Sequence, residues 1–243
     1  MTTRLHCALP LATGAMVDLP EAAAHHAARV LRLKVDDALI LFNGEGGEFA
    51  ARIERVTPRM VSASVGEFRD IDRESTLAVT LVQGLATGDR MDYAIQKAVE
   101  LGVAAVQPVT TARSVARLDA SRAEKRILHW RQIAISACEQ CGRNRLPDIL
   151  PLRDLDRWLQ APANASLRLL LAPDGLRALA EVTRPTGKIE FLVGPEGGLA
   201  PEETAAALRA GFTAVRLGPR ILRTETAALA ALAALNTLWG DWR

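Results

Sequence analysis

The chain of 243 residues is 49% hydrophobic and 24% charged, and its formal net charge is +2. This balance excludes an intrinsically disordered chain, and three cysteines are too few for a small disulfide scaffold. No apolar run reaches the ~18 residues that a membrane helix needs and the N-terminus lacks a signal-peptide pattern, so we expect a soluble, cytoplasmic protein.

The first seventy or so residues alternate between apolar and polar positions as short β-strands do. A glycine-rich turn at 43–47 lies inside a predicted hairpin at 38–56, because glycine supplies the positive φ that such turns need. A short helix at 20–31 precedes the hairpin and a strand at 60–65 follows it. These elements predict a small β-barrel, and the charged stretch at 68–75 marks its end.

From Thr76 onward, apolar strands alternate with amphipathic helices, which predicts an α/β domain with a mostly parallel sheet. Uniformly apolar runs are typical of strands that are buried on both faces. We therefore predict two domains, at residues 1–72 and 73–243. The predicted strands are 77–85, 103–109, 167–172, 189–193 and 214–217, and the predicted helices are 89–101, 121–138, 152–159, 201–210 and 224–239.

Cys138 and Cys141 form a CxxC pair near the end of a predicted helix. A structural zinc site needs four ligands, and the only other cysteine is Cys7. A redox pair of the thioredoxin type would open a helix, whereas this pair ends one. We interpret both residues as ordinary buried cysteines and expect no metal.

Two loops rich in glycine and proline each follow a predicted strand of the second domain, at 194–199 and 218–223. Ligands of open α/β sheets bind beyond the carboxyl ends of the strands, so the loops predict one shared pocket. Pro195 removes an N–H group and Glu196 adds a negative charge, so the first loop is a poor phosphate cradle. An uncharged or cationic ligand fits better, and the sulfonium compound S-adenosylmethionine is one. A purely structural connection is the alternative.

The segments GPEGGL at 194–199 and LGPRILRTETAALAAL at 217–232 resemble the two signature segments of the SPOUT superfamily. Specifically, they resemble the RsmE family, which methylates N3 of a uridine in 16S ribosomal RNA. Shorter pieces at 26–32, 96–102 and 139–143 agree, in the family's order along nearly the whole chain. The resemblance implies a PUA-like RNA-binding barrel at the N-terminus, a C-terminal SPOUT domain that ends in a trefoil knot, and a homodimer.

The resemblance also implies roles for individual residues. The target uridine must be flipped out or unpaired, and its N3 must lose a proton. Arg223 is the first choice to stabilise the uridine anion, oriented by Glu225. Glu139 or Gln140 contacts the uracil edge, and a solvated helix end at these two residues is the alternative. An Arg223–Glu225 pair that merely caps the last helix is the alternative. The implied cofactor-binding residues are Leu171, Ala172, Pro173, Val193, Gly194, Pro195, Glu196, Gly197, Gly198, Leu217, Gly218, Ile221, Leu222 and Arg223.

Contact with RNA requires cations that neutralise phosphates, and the small net charge hides an uneven distribution. Residues 1–74 carry −2, residues 75–243 carry +4, and the stretch 113–145 alone carries +5. The predicted RNA contacts are Arg4, Arg29, Arg32, Lys34, Arg113, Arg126, Gln140 and Arg143. Other cations of the stretch, some of them ordinary surface charges, are Arg117, Arg122, Lys125, Arg131 and Arg145.

Two further functions stay open on the sequence. Another SPOUT activity, such as ribose 2′-O-methylation, would act on a neutral hydroxyl and need a different acid–base arrangement. A catalytically silent protein would bind RNA through the barrel without binding the cofactor. The predicted helix at 224–239 has almost no polar face, so we expect the knot or a second subunit to cover it.

Overall fold

The computed structural model describes residues 2–57, 60–115 and 118–242. The chain forms two compact units, and the first of them takes in a segment from the middle of the sequence. The first unit comprises Met1–Glu74 and Ile135–Leu146, and the second comprises Ser75–Ala134 and Pro147–Arg243.

The first unit is built on a five-stranded sheet. Its elements are β1 (Thr3–His6), β2 (Met16–Asp18), α1 (Glu21–His25), β3 (Ala38–Phe42), β4 (Glu48–Val56) and β5 (Val61–Arg69). The strand order is β1-β3-β4-β5-β2, in which β1 pairs parallel to β3 and the other pairs are antiparallel. Alternate residues of the hairpin, such as Leu39, Leu41 and Ile53, are buried in one apolar core. The predicted hairpin strands are confirmed to the residue.

The predicted helix at 20–31 consists of two different turns. After α1 the chain forms a π-helix at His26–Val30, in which the Leu31 N–H donates to the His26 carbonyl at 2.9 Å. π-helical turns are rare and occur frequently at functional sites. This one carries Arg29 on its exposed side, so the structure places a predicted RNA contact on a widened turn.

The second unit is built around one sheet, and its elements alternate between strand and helix. They are β6 (Val79–Gly84), α2 (Gly88–Glu100), β7 (Ala105–Thr110), α3 (Ala120–Cys141, whose end belongs to the first unit), β8 (Asp148–Ile149), β9 (Arg153–Asp154), α4 (Leu155–Leu159), β10 (Leu167–Leu171), β11 (Arg177–Ala178), a 3₁₀ turn (Leu179–Glu181), β12 (Ile189–Val193), α5 (Pro201–Arg209), β13 (Thr213–Arg216) and α6 (Thr224–Trp239).

Every recorded strand pair of this sheet is parallel, which confirms the predicted fold class. The order is β11-β13-β10-β12-β6-β7-β8, and β9 also pairs with β7. Helices α4 and α5 cover the sheet through Trp158 and Ala207, next to Phe212 of the turn after α5, while α2 packs against α6. Across the described ranges, no helix is long and apolar enough to cross a membrane.

A buried carboxylate, Glu48, binds the loop after α3 to the sheet of the first unit. Arg4 pairs with Glu48 Oε2, and the same oxygen accepts hydrogen bonds from Arg73 Nη1 at 3.2 Å and Asn144 Nδ2 at 3.3 Å. Arg143 is buried as well and donates from Nε to Glu74 at 2.8 Å. These bonds explain why residues 135–146 belong to the first unit, although the sequence boundary assigned them to 73–243.

We expect acid to weaken the first unit through Glu48. Burial opposes ionisation of this carboxyl, but the hydrogen bonds from Arg4, Arg73 and Asn144 outweigh it and hold its pKa below the ordinary value. A lowered folded-state pKa gives stability above the unfolded pKa that is lost as pH falls through the folded one. Glu48→Gln should therefore lower the free energy of unfolding at neutral pH by about 3 kcal/mol and reduce its acid sensitivity, measured by urea unfolding.

Glu67→Gln is the matched control, because Glu67 is exposed on β5 of the same unit. It should change the free energy of unfolding by no more than about 0.5 kcal/mol. Full acid sensitivity in the Glu48 variant would contradict the assignment.

Candidate active site

The carboxyl ends of β6, β10, β12 and β13 meet at one edge of the second unit's sheet. Val193 at the end of β12 lies opposite Gln83 of β6, and Leu171 of β10 lies opposite Val215 of β13. The loops that follow these strands line a cavity of about 900 Å³. This volume lies in the range of small-molecule sites, and the position is where α/β sheets bind ligands.

All fourteen residues predicted to bind the cofactor line this one cavity. They come from three loops, at 171–173, 193–198 and 217–223, that are distant in sequence. The structure thus brings the two glycine-rich loops and the segment after β10 to one cavity. The lining residues that the sequence analysis did not name include Arg90, Leu170, Asp174, Leu199, Pro201, Thr204, Ala205, Leu208, Arg220, Thr224 and Ala227.

The loop after β12 is held from two sides. A Cβ at Gly84 would lie 2.6 Å from the backbone nitrogen of Pro195, so only glycine allows the end of β6 to approach this closely. On the other side, Thr224 Oγ1 donates to the Gly194 carbonyl at 2.6 Å and accepts from Gln83 Nε2 at 2.9 Å. The buried threonine therefore joins the start of α6 to the glycine-rich loop.

Glu196 places a negative charge on the cavity wall. Its Oε1 accepts from the Thr87 N–H at 2.9 Å, the Thr87 hydroxyl at 2.6 Å and Arg90 Nη1 at 3.1 Å. Burial opposes its ionisation, but the bonds from Thr87 and Arg90 prevail and lower its pKa. Its Oε2 is buried and has no hydrogen-bond partner among the described residues. An ionised carboxylate at this point agrees with the prediction that the loop disfavours phosphate.

The predicted pairing of Arg223 with Glu225 is not found among the residues that the structure describes. Arg223 is exposed and lines the cavity, while Glu225 Oε2 is buried without a hydrogen-bond partner in that part of the chain. The side chain of Arg223 makes no capping bond to α6 either. The predicted orientation of Arg223 by Glu225 and the helix-cap interpretation are therefore corrected, while the role of Arg223 toward the uridine stays a prediction.

Glu139 lies in the first unit and does not line the cavity. Its Oε1 accepts from the His6 N–H at 2.9 Å, and its Oε2 lies 3.6 Å from His26 Nδ1. Burial raises the pKa of this carboxyl despite both neighbours. These contacts attach the end of α3 to β1, and the predicted contact with the uracil edge stays a prediction.

Two of the predicted RNA contacts, Arg4 and Arg143, have side chains that are largely buried and paired with carboxylates. Neither can reach a phosphate without breaking a buried ion pair, which is costly, so both predictions are corrected. Arg117 lies outside the described residues. The remaining predicted contacts, all exposed, are Arg29, Arg32, Lys34, Arg113, Arg126 and Gln140.

Cys138 is fully buried at the end of α3, and its thiol approaches the Arg145 carbonyl at 3.7 Å. Burial raises its pKa to about 12, so the thiol is neutral at physiological pH and is a poor nucleophile and metal ligand. Within residues 2–57, 60–115 and 118–242, no group of three or more His, Cys, Asp or Glu residues is arranged to hold a metal ion.

Comparison with known proteins identifies the class of both units. The family described as an RNA methyltransferase domain matches residues 73–236, and the family described as an RNA methyltransferase PUA domain matches residues 19–65. The fold and the site therefore define an RNA methyltransferase of the SPOUT type with a PUA-like N-terminal domain.

Individual relatives narrow this class. The curated protein named ribosomal RNA small subunit methyltransferase E from Buchnera aphidicola is 33% identical over 90% of this chain and 87% of its own length. The protein of that name from Bacillus subtilis is 34% identical over 87% and 86%. The chain belongs to this family, RsmE, as the sequence motifs predict.

Two solved structures are similar over their full length. Ribosomal RNA small subunit methyltransferase E from Neisseria gonorrhoeae, bound to S-adenosylmethionine, is 41% identical, has a TM-score of 0.93 and covers 100% of both chains. A putative methyltransferase from Legionella pneumophila, also with bound S-adenosylmethionine, is 36% identical, has a TM-score of 0.96 and covers 99% of each chain.

The Thr224 hydroxyl provides a test of how the loop is held. Thr224→Val keeps the shape of the side chain but leaves the Gly194 carbonyl without this donor. We expect the free energy of unfolding to fall by about 1–3 kcal/mol, with faster hydrogen exchange at 194–198. Thr226→Val, at an exposed position of the same helical turn, is the control and should change stability by less than about 0.5 kcal/mol. Equal effects of the two variants would contradict this role.

Proposed function

We propose that the protein is an S-adenosylmethionine-dependent methyltransferase that acts on N3 of a uridine in 16S ribosomal RNA. The observation that carries the proposal is that the fourteen predicted cofactor-binding residues line one cavity in a chain of the RsmE family. Relatives named for the small ribosomal subunit, and two similar structures that hold the cofactor, support it.

The cavity suits this cofactor in size and charge. Its volume of about 900 Å³ accommodates a nucleoside with an amino-acid tail. S-adenosylmethionine carries both signs of charge, and so does the cavity wall, where Glu196 Oε2 has no hydrogen-bond partner among the described residues and arginines lie elsewhere on the wall. Backbone groups of Leu171, Gly194, Leu217 and Leu222 would hold the adenine and ribose. When bound, S-adenosylmethionine supplies the methyl group.

The chain's own task is to hold the uridine and to favour loss of its N3 proton. Arg223 lines the cavity and is exposed, so it is one of the arginines that make the potential around a bound uridine positive. The proton passes to water in this proposal, and Glu139 and Glu225, the two carboxylates that the sequence analysis named, do not line the cavity.

RNA is proposed to bind along exposed cations of both family domains, with the PUA-like domain assigned to 1–72 and the methyltransferase domain to 73–243. Arg113 supports a position close to the cavity, since its Nη1 donates to the Gly197 carbonyl at 3.0 Å and its guanidinium group is exposed. The other proposed contacts are Arg29, Arg32, Lys34, Arg126 and Gln140.

The proposal includes a homodimer, a trefoil knot in the C-terminal domain and action in the cytoplasm, where ribosomal RNA is modified. For the dimer, α6 offers an apolar face that its own chain leaves incompletely covered. Leu229, Ala230, Ala233 and Ala234 are neither fully buried nor polar. A helix that is apolar all round favours burial against a second copy.

Mass mapping of ribosomal RNA tests the proposed function. A strain without the gene should lack one N3-methyluridine of the small subunit, and the wild-type gene should restore it. If no methyl group disappears from a small-subunit uridine, the proposed substrate is wrong. Calorimetry with S-adenosylmethionine should show saturable binding, and its absence would favour a silent RNA-binding protein.

Charge reversal should separate RNA binding from cofactor binding. Arg32→Glu and Arg126→Glu should each weaken RNA binding and lower the salt dependence of the association constant by about one phosphate contact. Affinity for S-adenosylmethionine should be unchanged. Arg157→Glu, at an exposed position of α4, is the control for general repulsion. Loss of cofactor affinity in the two test variants would contradict their placement on the RNA face.

A further inference from the structure

Arg90 is a cavity residue that no motif of the sequence analysis singled out. It lies in the first turn of α2, directly after β6, and β6 is paired with β12. Because these strands are parallel neighbours, the start of α2 and the loop that carries Glu196 meet at the same edge. The sequence separation of Arg90 and Glu196 is 106 residues, so only the sheet brings them together.

Glu196 holds the guanidinium group of Arg90 at the cavity wall. The Oε1 atom accepts from Arg90 Nη1 at 3.1 Å and is itself fixed by both the N–H and the hydroxyl of Thr87. These bonds keep the carboxylate charged, because they outweigh burial and lower its pKa. A charged carboxylate that two bonds from Thr87 hold in place forms a strong, well-oriented ion pair with Arg90.

The guanidinium group keeps most of its hydrogen-bonding capacity. A guanidinium carries several N–H donors in one plane, and the single hydrogen bond recorded for Arg90 among the described residues uses one nitrogen. The side chain is 41% exposed and lines the cavity. Arg223, by contrast, has no recorded partner that fixes its position in the described part of the chain.

The charges around the cavity favour an anion on the side of the arginines. Four arginines line it, and they are opposed by two carboxylates. The lining charged residues are Arg90, Arg113, Arg220, Arg223, Asp174 and Glu196. Among the described residues, Arg90 is the lining arginine with a recorded ion pair, whereas Arg113 is held by a hydrogen bond to the Gly197 carbonyl.

We propose that Arg90 is the cation that stabilises the uridine anion, and that Glu196 is its positioning residue. This inference rests on the proposed function and assigns the catalytic cation of the same site. A cation that is held in place before the reaction needs no reorganisation when charge develops, so it stabilises that charge more than a mobile one.

The chemistry requires a particular contact. Loss of the N3 proton to water leaves a negative charge shared by N3, O2 and O4 of the uracil. Arg90 donates to O2 or O4, which leaves the N3 electron pair free to form the bond to the methyl carbon. The bond between that carbon and sulfur breaks, and its electron pair stays on sulfur.

A nucleotide with an acidic N3 tests the contact without turnover. The probe is 5-fluorouridine 5′-monophosphate, added to protein saturated with S-adenosylhomocysteine, and fluorine NMR reports ionisation of the base as pH is raised. Wild-type protein should lower the pH of N3 ionisation by about one unit relative to the free nucleotide. Arg90→Ala should return it to the free value, and Arg90→Lys should retain part of the effect. Arg157→Ala is the matched control and should behave as wild type.

Two further variants separate the roles. Glu196→Gln removes the negative charge that holds Arg90. The protein should then lower the pH of N3 ionisation by less than wild type does, while the nucleotide still binds. Arg223→Ala should still lower the pH of N3 ionisation by most of the wild-type amount. Calorimetry with S-adenosylhomocysteine checks that each variant keeps the cavity intact. The proposal is overturned if Arg90→Ala keeps the full shift, if Arg223→Ala alone abolishes it, or if wild-type protein neither binds the nucleotide nor shifts its ionisation.

Kinetics provide the second readout. On the RNA substrate, Arg90→Ala should lower kcat by about tenfold or more and move the rising limb of the pH profile to higher pH, with little change in KM. A change confined to KM would indicate a structural role and contradict the proposal. A wild-type ionisation shift without a missing methyl group in the RNA map would reject the proposed RNA substrate but retain the role of Arg90.

Discussion

Parallel pairing of β6, β10, β12 and β13 is the constraint on which the rest of the site depends. It brings the ends of these strands, and thus three loops from distant parts of the chain, to one edge of the sheet. The glycine at the end of β6 allows the loop after β12 to approach, and Thr224 joins that loop to α6. The cavity is therefore a consequence of strand order, refined by a few polar contacts.

Elements with strong local signals could be predicted from the sequence. The hairpin strands β3 and β4 are marked by alternation around glycines, β12 by a run that is buried on both faces, and α6 by an uninterrupted apolar pattern. Their bounds agree with the structure to the residue. The two-residue strands β8, β9 and β11 were missed because so short a segment has no period. Their pairing with longer neighbours is decided by the sheet.

The site was predictable to the extent that it lies in continuous motifs. The loops at 194–198 and 217–223 were found because each follows a strand and carries glycine or proline. Arg90 had no comparable signal, since it lies in an ordinary amphipathic helix and meets Glu196 only in the folded sheet. Arg4 and Arg143 show the reverse error. Charged residues are normally exposed, so their burial beside Glu48 and Glu74 could not be read from composition.

The close approach of Gly84 to Pro195 has a consequence for redesign of the pocket. Because a Cβ at Gly84 would meet the backbone of Pro195 rather than a movable side chain, the wall that Pro195 forms cannot be moved by a substitution at Gly84. A variant made to accept a bulkier cofactor analogue must gain its space from the other walls, where Leu208 and Ile221 present partly exposed side chains that can be shortened. The fold thus separates a fixed side of the pocket from a side that is open to engineering.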